Sequence, residues 1–178
     1  MARNGWREIT FPSRENSMYL QTARLTLRNF ADKDLDSFLT YRNDPDVAKY
    51  QGWGIPYPRE KAQSFIASMK DKFAPKQGDW IQFAVALRDA DELIGDIGCF
   101  VKKEDPRQAV IGFTIASKYW RNGFAAEIIP SLLEYLFVDL DMYRVSADCD
   151  AENIASYRTL EKLGFRREAH FIESYLLN

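Results

Sequence analysis

A single histidine, His170, and two cysteines, Cys99 and Cys149, are all that this chain of 178 residues holds of the types that dominate nucleophilic and zinc chemistry. A Ser-His-Asp or Cys-His arrangement would have to use His170, and no nucleophile-elbow sequence accompanies it. Histidine-based zinc sites fail on the same ground, so no metal is expected. The two cysteines match neither a disulfide framework nor a zinc spacing; their apolar, strand-like surroundings predict buried free thiols. No run approaches the ~18 apolar residues of a membrane span. Met1 to Ser17 scatters Arg3, Arg7, Glu8, Arg14 and Glu15 among apolar residues and has no continuous apolar core, unlike a secretory signal. A net charge of −2 gives no bulk case for nucleic acid, and no repeat or low-complexity tract is present. These absences predict a cytoplasmic protein without nucleic-acid or membrane partners.

What is there suits one domain with a real core: 46% of residues are apolar and 28% charged. Residues 1–18 read as an irregular extension and 19–178 as the single domain. Arg24 to Phe30 alternates as a strand. Asp32 or Asp34 can cap a helix carrying Leu35, Phe38, Leu39 and Tyr41. Glycine and proline make residues 50–58 a loop, and a second helix follows over about Arg59 to Phe73. Three strands come next: Trp80–Arg88, Leu93–Val101 and Ala109–Ala116. Gly95 and Gly98 in the second predict a close backbone approach or a bulge. A helix over Phe124–Val138, kinked by Pro130, a buried strand over Tyr143–Asp148 and a helix over Asn153–Leu163 stopped by Gly164 complete the pattern. Phe165 to about Leu177 supplies a last strand or two. The order β-α-α-β-β-β-α-β-α-β predicts an α/β (mixed α+β) fold, with helices packed on a mixed sheet. The strand–helix–strand unit from Ala109 to Asp148 should be parallel and right-handed.

The most telling segment runs from Lys118 through Tyr119, Trp120, Arg121, Asn122 and Gly123 to Phe124, Ala125, Ala126 and Glu127. A strand, a short basic loop with a glycine and a helix start aim free N–H groups at one spot, which suits a phosphate or pyrophosphate. Gly123 permits close approach and Arg121 adds a positive charge. The same segment is also compatible with an ordinary strand-to-helix turn. It lacks the Gly-Lys-Ser/Thr of a nucleotide P-loop.

A second segment decides between these readings. Asn153-Ile154-Ala155-Ser156 is followed by Leu160-Glu161-Lys162-Leu163-Gly164-Phe165. The two segments, in this order and at this distance, resemble the GNAT superfamily of acyl-CoA-dependent N-acetyltransferases. Within it the chain is most similar to the branch that includes the ribosomal-protein N-terminal acetyltransferases. The resemblance runs from near Thr22–Arg28 to the C-terminus. It implies a GNAT-like fold, a mostly antiparallel central sheet with helices on both faces, and acetyl-CoA as cosubstrate. It implies transfer to a primary amine, either a protein N-terminus or a small molecule. The alternative from another class is a non-catalytic acyl-CoA-binding or interaction domain.

By resemblance, backbone N–H groups of Arg121, Asn122, Gly123, Phe124, Ala125 and Ala126 would hold the pyrophosphate. Main-chain groups of Thr114, Ile115 and Ala116 would align the pantetheine arm like an added strand. Trp120 matches the branch and is expected to be a core aromatic, whereas Arg121 stands where the branch commonly has another glycine. Most of the superfamily protonates the departing thiolate with a tyrosine at the position of Leu160; in this branch a serine does so, and Ser156 matches. Asn153 would bond the pantetheine amide region, although an asparagine there also suits a helix N-cap. Tyr157 is a second hydroxyl, but at i+1 from Ser156 it points elsewhere. Glu173, then Glu168, are the candidate bases for the amine. Tyr50, Trp53 and Tyr57 are expected walls of the acceptor pocket. The chain stops where the family usually adds a further strand; either another protomer supplies it, an unpaired strand edge favouring a homodimer, or the chain is a truncated form.

Overall fold

The computed structural model describes residues 18–172. The extension expected over 1–18 lies outside these residues, except for Met18, which packs in the core at 4% exposure. Glu173 and the end of the expected last strand lie outside them too, and residues 165–172 form no strand.

One mixed sheet carries the fold, its six strands in sequence order: β1 (Tyr19–Gln21), β2 (Leu25–Arg28), β3 (Trp80–Leu87), β4 (Leu93–Val101), β5 (Gln108–Ile115) and β6 (Arg144–Ala147). The first four pairings are antiparallel and the last, β5 with β6, is parallel. The apolar run of β4 is buried on both faces because helices cover both. On one face lies α4 (Phe124–Glu134), whose Ile128, Ile129 and Leu132 are fully buried, each contributing about 1.5–3 kcal/mol. On the other lie α1 (Leu35–Arg42) and α3 (Arg59–Met69), with Phe38 stacked on Phe65 at 5.1 Å. The short α2 (Pro45–Ala48), capped by the Asp44 carboxylate, leads into the loop at residues 50–58.

Several expectations change in detail. β1 is additional to the sequence pattern. α4 is shorter than its apolar run, which continues from Tyr135 to Asp139 as a π-turn. β6 is only partly buried because it ends the described sheet. The glycines of β4 do what their spacing suggested: a Cβ at Gly95 would lie 2.1 Å from the Thr114 carbonyl oxygen, so β4 and β5 touch where only hydrogen fits. Opposite Gly95 the β3 register slips between Val85 and Ala86. The last helix, α5 (Ile154–Lys162), ends before Gly164, which takes φ +90°.

Candidate active site

β5 and β6 pair in parallel from Gln108/Arg144 to Ile111/Ala147 and then part. Beyond that point β5 keeps β4 on one side, and its other edge opens into a narrow slot of about 80 Å³. Gly112 and Phe113 of β5, Asp148 and Cys149 after β6, and Asn153, Ser156 and Leu160 at α5 line it. A wider cleft of about 440 Å³ opens on the far side, lined by Trp53, Trp80, Gln82, Asp96 and Thr114 among others. The slot and the cleft share Gln51, Gly112 and Phe113, so the two cavities adjoin over β5.

The loop after β5 has the shape its glycine foretold. Gly123 is the N-cap of α4 at φ +75°, and a Cβ there would meet nothing closer than 3.9 Å. Glycine is therefore required by the left-handed backbone rather than by crowding. Arg121 also takes the left-handed region, at φ +63°, so the arginine adopts the conformation a glycine would have supplied. The N–H groups of Phe124, Ala125 and Ala126 have no acceptor within an α-helix. Asn122 turns its side chain back onto the carbonyls of Tyr119 and Trp120, at 3.2 and 3.1 Å. Trp120 is not a core residue: it is 45% exposed, and its indole donates to the Ile115 carbonyl at 2.6 Å. That bond, with the Ala116 N–H donating to Ile94 at 2.8 Å, engages two main-chain groups expected to meet pantetheine. Thr114 lines the cleft instead, and the open edge of β5 is at Gly112 and Phe113.

The sequence alone does not place Arg24 at this loop. Its guanidinium lies over the Phe124 ring at 4.5 Å, donates to Glu127 at 2.6 Å and holds the Asn122 carbonyl at 3.0 Å. Only the fold brings it there, since it precedes β2.

Asn153 caps α5, its side-chain oxygen accepting the Ser156 N–H at 3.1 Å. The cap leaves the Asn153 amide nitrogen available to the slot, so capping the helix and meeting a pantetheine amide are compatible roles for this side chain. Ser156 lines the same slot beside Cys149. Burial raises the Cys149 thiol, which the Ser156 hydrogen bond and Arg167 partly offset. Cys149 is exposed, contrary to expectation, because the chain leaves the sheet before reaching it; Cys99, inside β4, is buried and pushed up to about 12 by that burial. Leu160, at the superfamily's tyrosine position, is buried at the slot's edge. Of the three expected walls, Trp53 lines the cleft and Tyr50 the slot, whereas Tyr57 is buried in the α1–α3 core.

Glu168 does not suit a base. It is exposed and ion-paired to Arg144 and Arg166, and the Arg144 hydrogen bond first, then that of Arg166, lowers its carboxyl to about 2. The carboxylate that does line the cleft is Asp96 of β4, 1% exposed. It accepts from Gln82 at 2.7 Å, from Arg42 at 3.1 Å and from the Tyr41 hydroxyl. Burial above all, with the charge of Asp96, raises the Tyr41 phenol well above its ordinary value, so it stays a donor. Nothing local in the sequence marks Asp96; its partners come from α1 and β3.

A family model described as an acetyltransferase (GNAT) domain matches residues 24–166. A Bacillus subtilis protein bearing the name uncharacterized N-acetyltransferase YnaD is 37% identical over 154 residues, 86% of this chain and 86% of that protein. A solved acetyltransferase of the GNAT family from Bacillus anthracis is 31% identical with TM-score 0.76, over 86% of this chain and 87% of that one. The same fold, at TM-score 0.73 and 22% identity over 88% and 89% of the two chains, is that of spermidine N-acetyltransferase from Vibrio cholerae, solved with CoA and spermine.

Proposed function

The chain belongs to the GNAT acetyltransferase family, and we propose that, as an acetyl-CoA-dependent N-acetyltransferase, it seats the cosubstrate in the slot and the acceptor amine in the cleft. The parting of β5 from β6 after Ile111 and Ala147 carries this reading, because it exposes a strand edge between a phosphate-suited helix start and a second cavity.

In this arrangement the N–H groups from Arg121 to Ala126 hold the pyrophosphate, with Arg121 adding positive charge and Arg24, paired to Glu127, bracing the loop. The pantetheine arm lies along Gly112 and Phe113 in the manner of an added strand, and the Asn153 amide meets one of its amide groups. The thioester then stands where slot and cleft join. The neutral amine attacks the thioester carbonyl carbon, a C–N bond forms and the C–S bond breaks as the tetrahedral intermediate collapses. Ser156 gives its hydroxyl proton to the departing thiolate and recovers one from solvent. The attacking nitrogen loses its own proton to water; an α-amino group with a pKa of about 8 is already neutral in useful fraction at pH 7. Glu173, outside the described residues, remains the carboxylate proposed to assist that loss.

The test is a calorimetric titration with acetyl-CoA followed by thiol release with a panel of primary amines. Micromolar binding with amine-dependent release of CoA is the expected result. Binding without release under any amine would assign the chain to the non-catalytic alternative.

A further inference from the structure

The cleft has one feature that the transfer chemistry does not require. Trp80, the first residue of β3, is 39% exposed and lies flat across the sheet rather than standing off it. It can do so because β4 has glycine beneath it: a Cβ at Gly98 would fall 2.2 Å from the indole Cζ2. On β5 the residue paired with Gly98 is Gly112, whose absent Cβ would lie 3.9 Å from the indole Cη2. The ring is pinned at its edge by the bond from Nε1 to the Gln82 side chain at 3.2 Å and flanked by Phe100 at 6.5 Å. Trp53 also lines the cleft, fixed by its indole bond to the Arg42 carbonyl at 3.0 Å, with the Arg42 guanidinium 3.7 Å from its ring centre.

The charged side chains lining the cleft among the described residues are Arg42 and Asp96, which are buried and paired to each other. Asp96 already takes three donors. Asp96 is thereby committed to protein donors, and a ligand ammonium group would have to compete with them. A planar ring would instead lie on Trp80 at little cost.

We infer that the acceptor is a primary amine carried on a flat aromatic body, and that Trp80 is the residue that selects it. This deepens the catalytic reading and rests on it. The ring stacks on Trp80 over Gly98 and Gly112, which directs its amino group toward the Gly112–Phe113 junction where the thioester stands.

The experiment uses the full chain and three probes: 2-phenylethylamine, its saturated analogue 2-cyclohexylethylamine, and spermidine. The expected kcat/KM favours the aromatic amine over its saturated analogue by up to about tenfold, the scale of one good aromatic contact beyond burial, and over spermidine by at least as much. Trp80→Ala should remove that advantage through the KM of the aromatic amine, leaving the Kd for acetyl-CoA unchanged. Trp80→Phe should retain most of the advantage, and it serves as the working variant if Trp80→Ala loses acetyl-CoA binding through misfolding. Spermidine or the saturated amine used as well as the aromatic one would overturn the inference while leaving the N-acetyltransferase intact. So would a Trp80 variant that slows all amines equally. Acetyl-CoA binding with no acetylation of any amine would remove the catalytic reading and this inference with it.

Discussion

Arg24 Nε donates to Glu127 Oε2 at 2.6 Å across 103 residues of sequence, and the same guanidinium holds the Asn122 carbonyl at 3.0 Å. One side chain thus ties the start of β2 to both the loop and the first turn of α4. Burial alone would raise the Glu127 carboxyl, but hydrogen bonds from Thr22 and Arg24 outweigh it and hold it below its ordinary 4.5. A carboxyl lowered in the folded state contributes stability that is complete above the unfolded value and is lost as pH falls through the folded one. The thermal midpoint should therefore fall below about pH 4.5 partly through this group. Glu127→Gln should cost about 1 kcal/mol at neutral pH, since Arg24 is half exposed, and its deficit against the parent should shrink in melts below pH 4. A deficit independent of pH would exclude the ion pair as its cause.

Arg121 should trade stability against affinity. At φ +63° an arginine bears a left-handed penalty that glycine does not. Arg121→Gly should raise the unfolding free energy by up to about 1 kcal/mol after glycine's own entropy cost. The same change removes a cation from the pyrophosphate loop, so calorimetry should show weaker acetyl-CoA binding. Opposite signs in the two measurements are the signature; equal or stronger binding would take Arg121 out of the loop's chemistry.

Ser156 shares the slot with Asn153 and Cys149. If its hydroxyl protonates the thiolate, Ser156→Ala should lower kcat by about 10²-fold, at the modest end for a general acid, and leave the Kd for acetyl-CoA nearly unchanged. The cap from Asn153 uses the Ser156 main chain and survives the substitution. Turnover equal to the parent's would remove Ser156 from the reaction.

Gly95→Ala should be among the most damaging single methyl additions. The new Cβ would meet the Thr114 carbonyl oxygen at 2.1 Å and the Ile115 Cα at 3.0 Å, both backbone atoms of β5 that cannot swing aside. Chemical denaturation should show a loss of about 3 kcal/mol, at the upper end of overpacking costs. Because Thr114 lines the cleft, the amine KM should also rise. A loss well under 1 kcal/mol would mean that β4 and β5 can separate there.

The features legible in the sequence were local ones. Gly164 signalled a helix stop and takes positive φ after α5, whereas Gly123, expected to permit close approach to an anion, is needed for its positive φ. Asn153 suits a cap and is one. The apolar run Leu93–Val101 marks β4 to the residue. Where local signals mislead, a distant neighbour is the cause. Trp120 looks like core material, yet the Ile115 carbonyl draws its indole to the surface. Cys149 is expected inside a strand but follows the end of the last described one, so it lies exposed beside Ser156 in the slot lining. Tyr57 suggests a wall facing a ligand and instead packs edge-on against Phe38 at 5.9 Å. Glu168 has the chemistry of a base, but Arg144 and Arg166 claim it.

Caps, turns and periodicity act within a few residues, so the sequence by itself determined the order of strands and helices from β2 to α5 apart from the short α2, the glycine loop at the start of α4 and the spacing that puts Asn153 and Ser156 on one helical turn. Whether a charge is buried, or an aromatic ring lies flat, depends on what packs against it from elsewhere in the chain. Tertiary structure alone therefore decided that β5 and β6 part after Ile111, that Asp96 meets Arg42 and Tyr41 more than fifty residues away, and that Trp80 rests over Gly98. Burying Asp96 is tolerable only because those donors arrive with it. No stretch of sequence short enough to be read locally contains both the carboxylate and the groups that satisfy it.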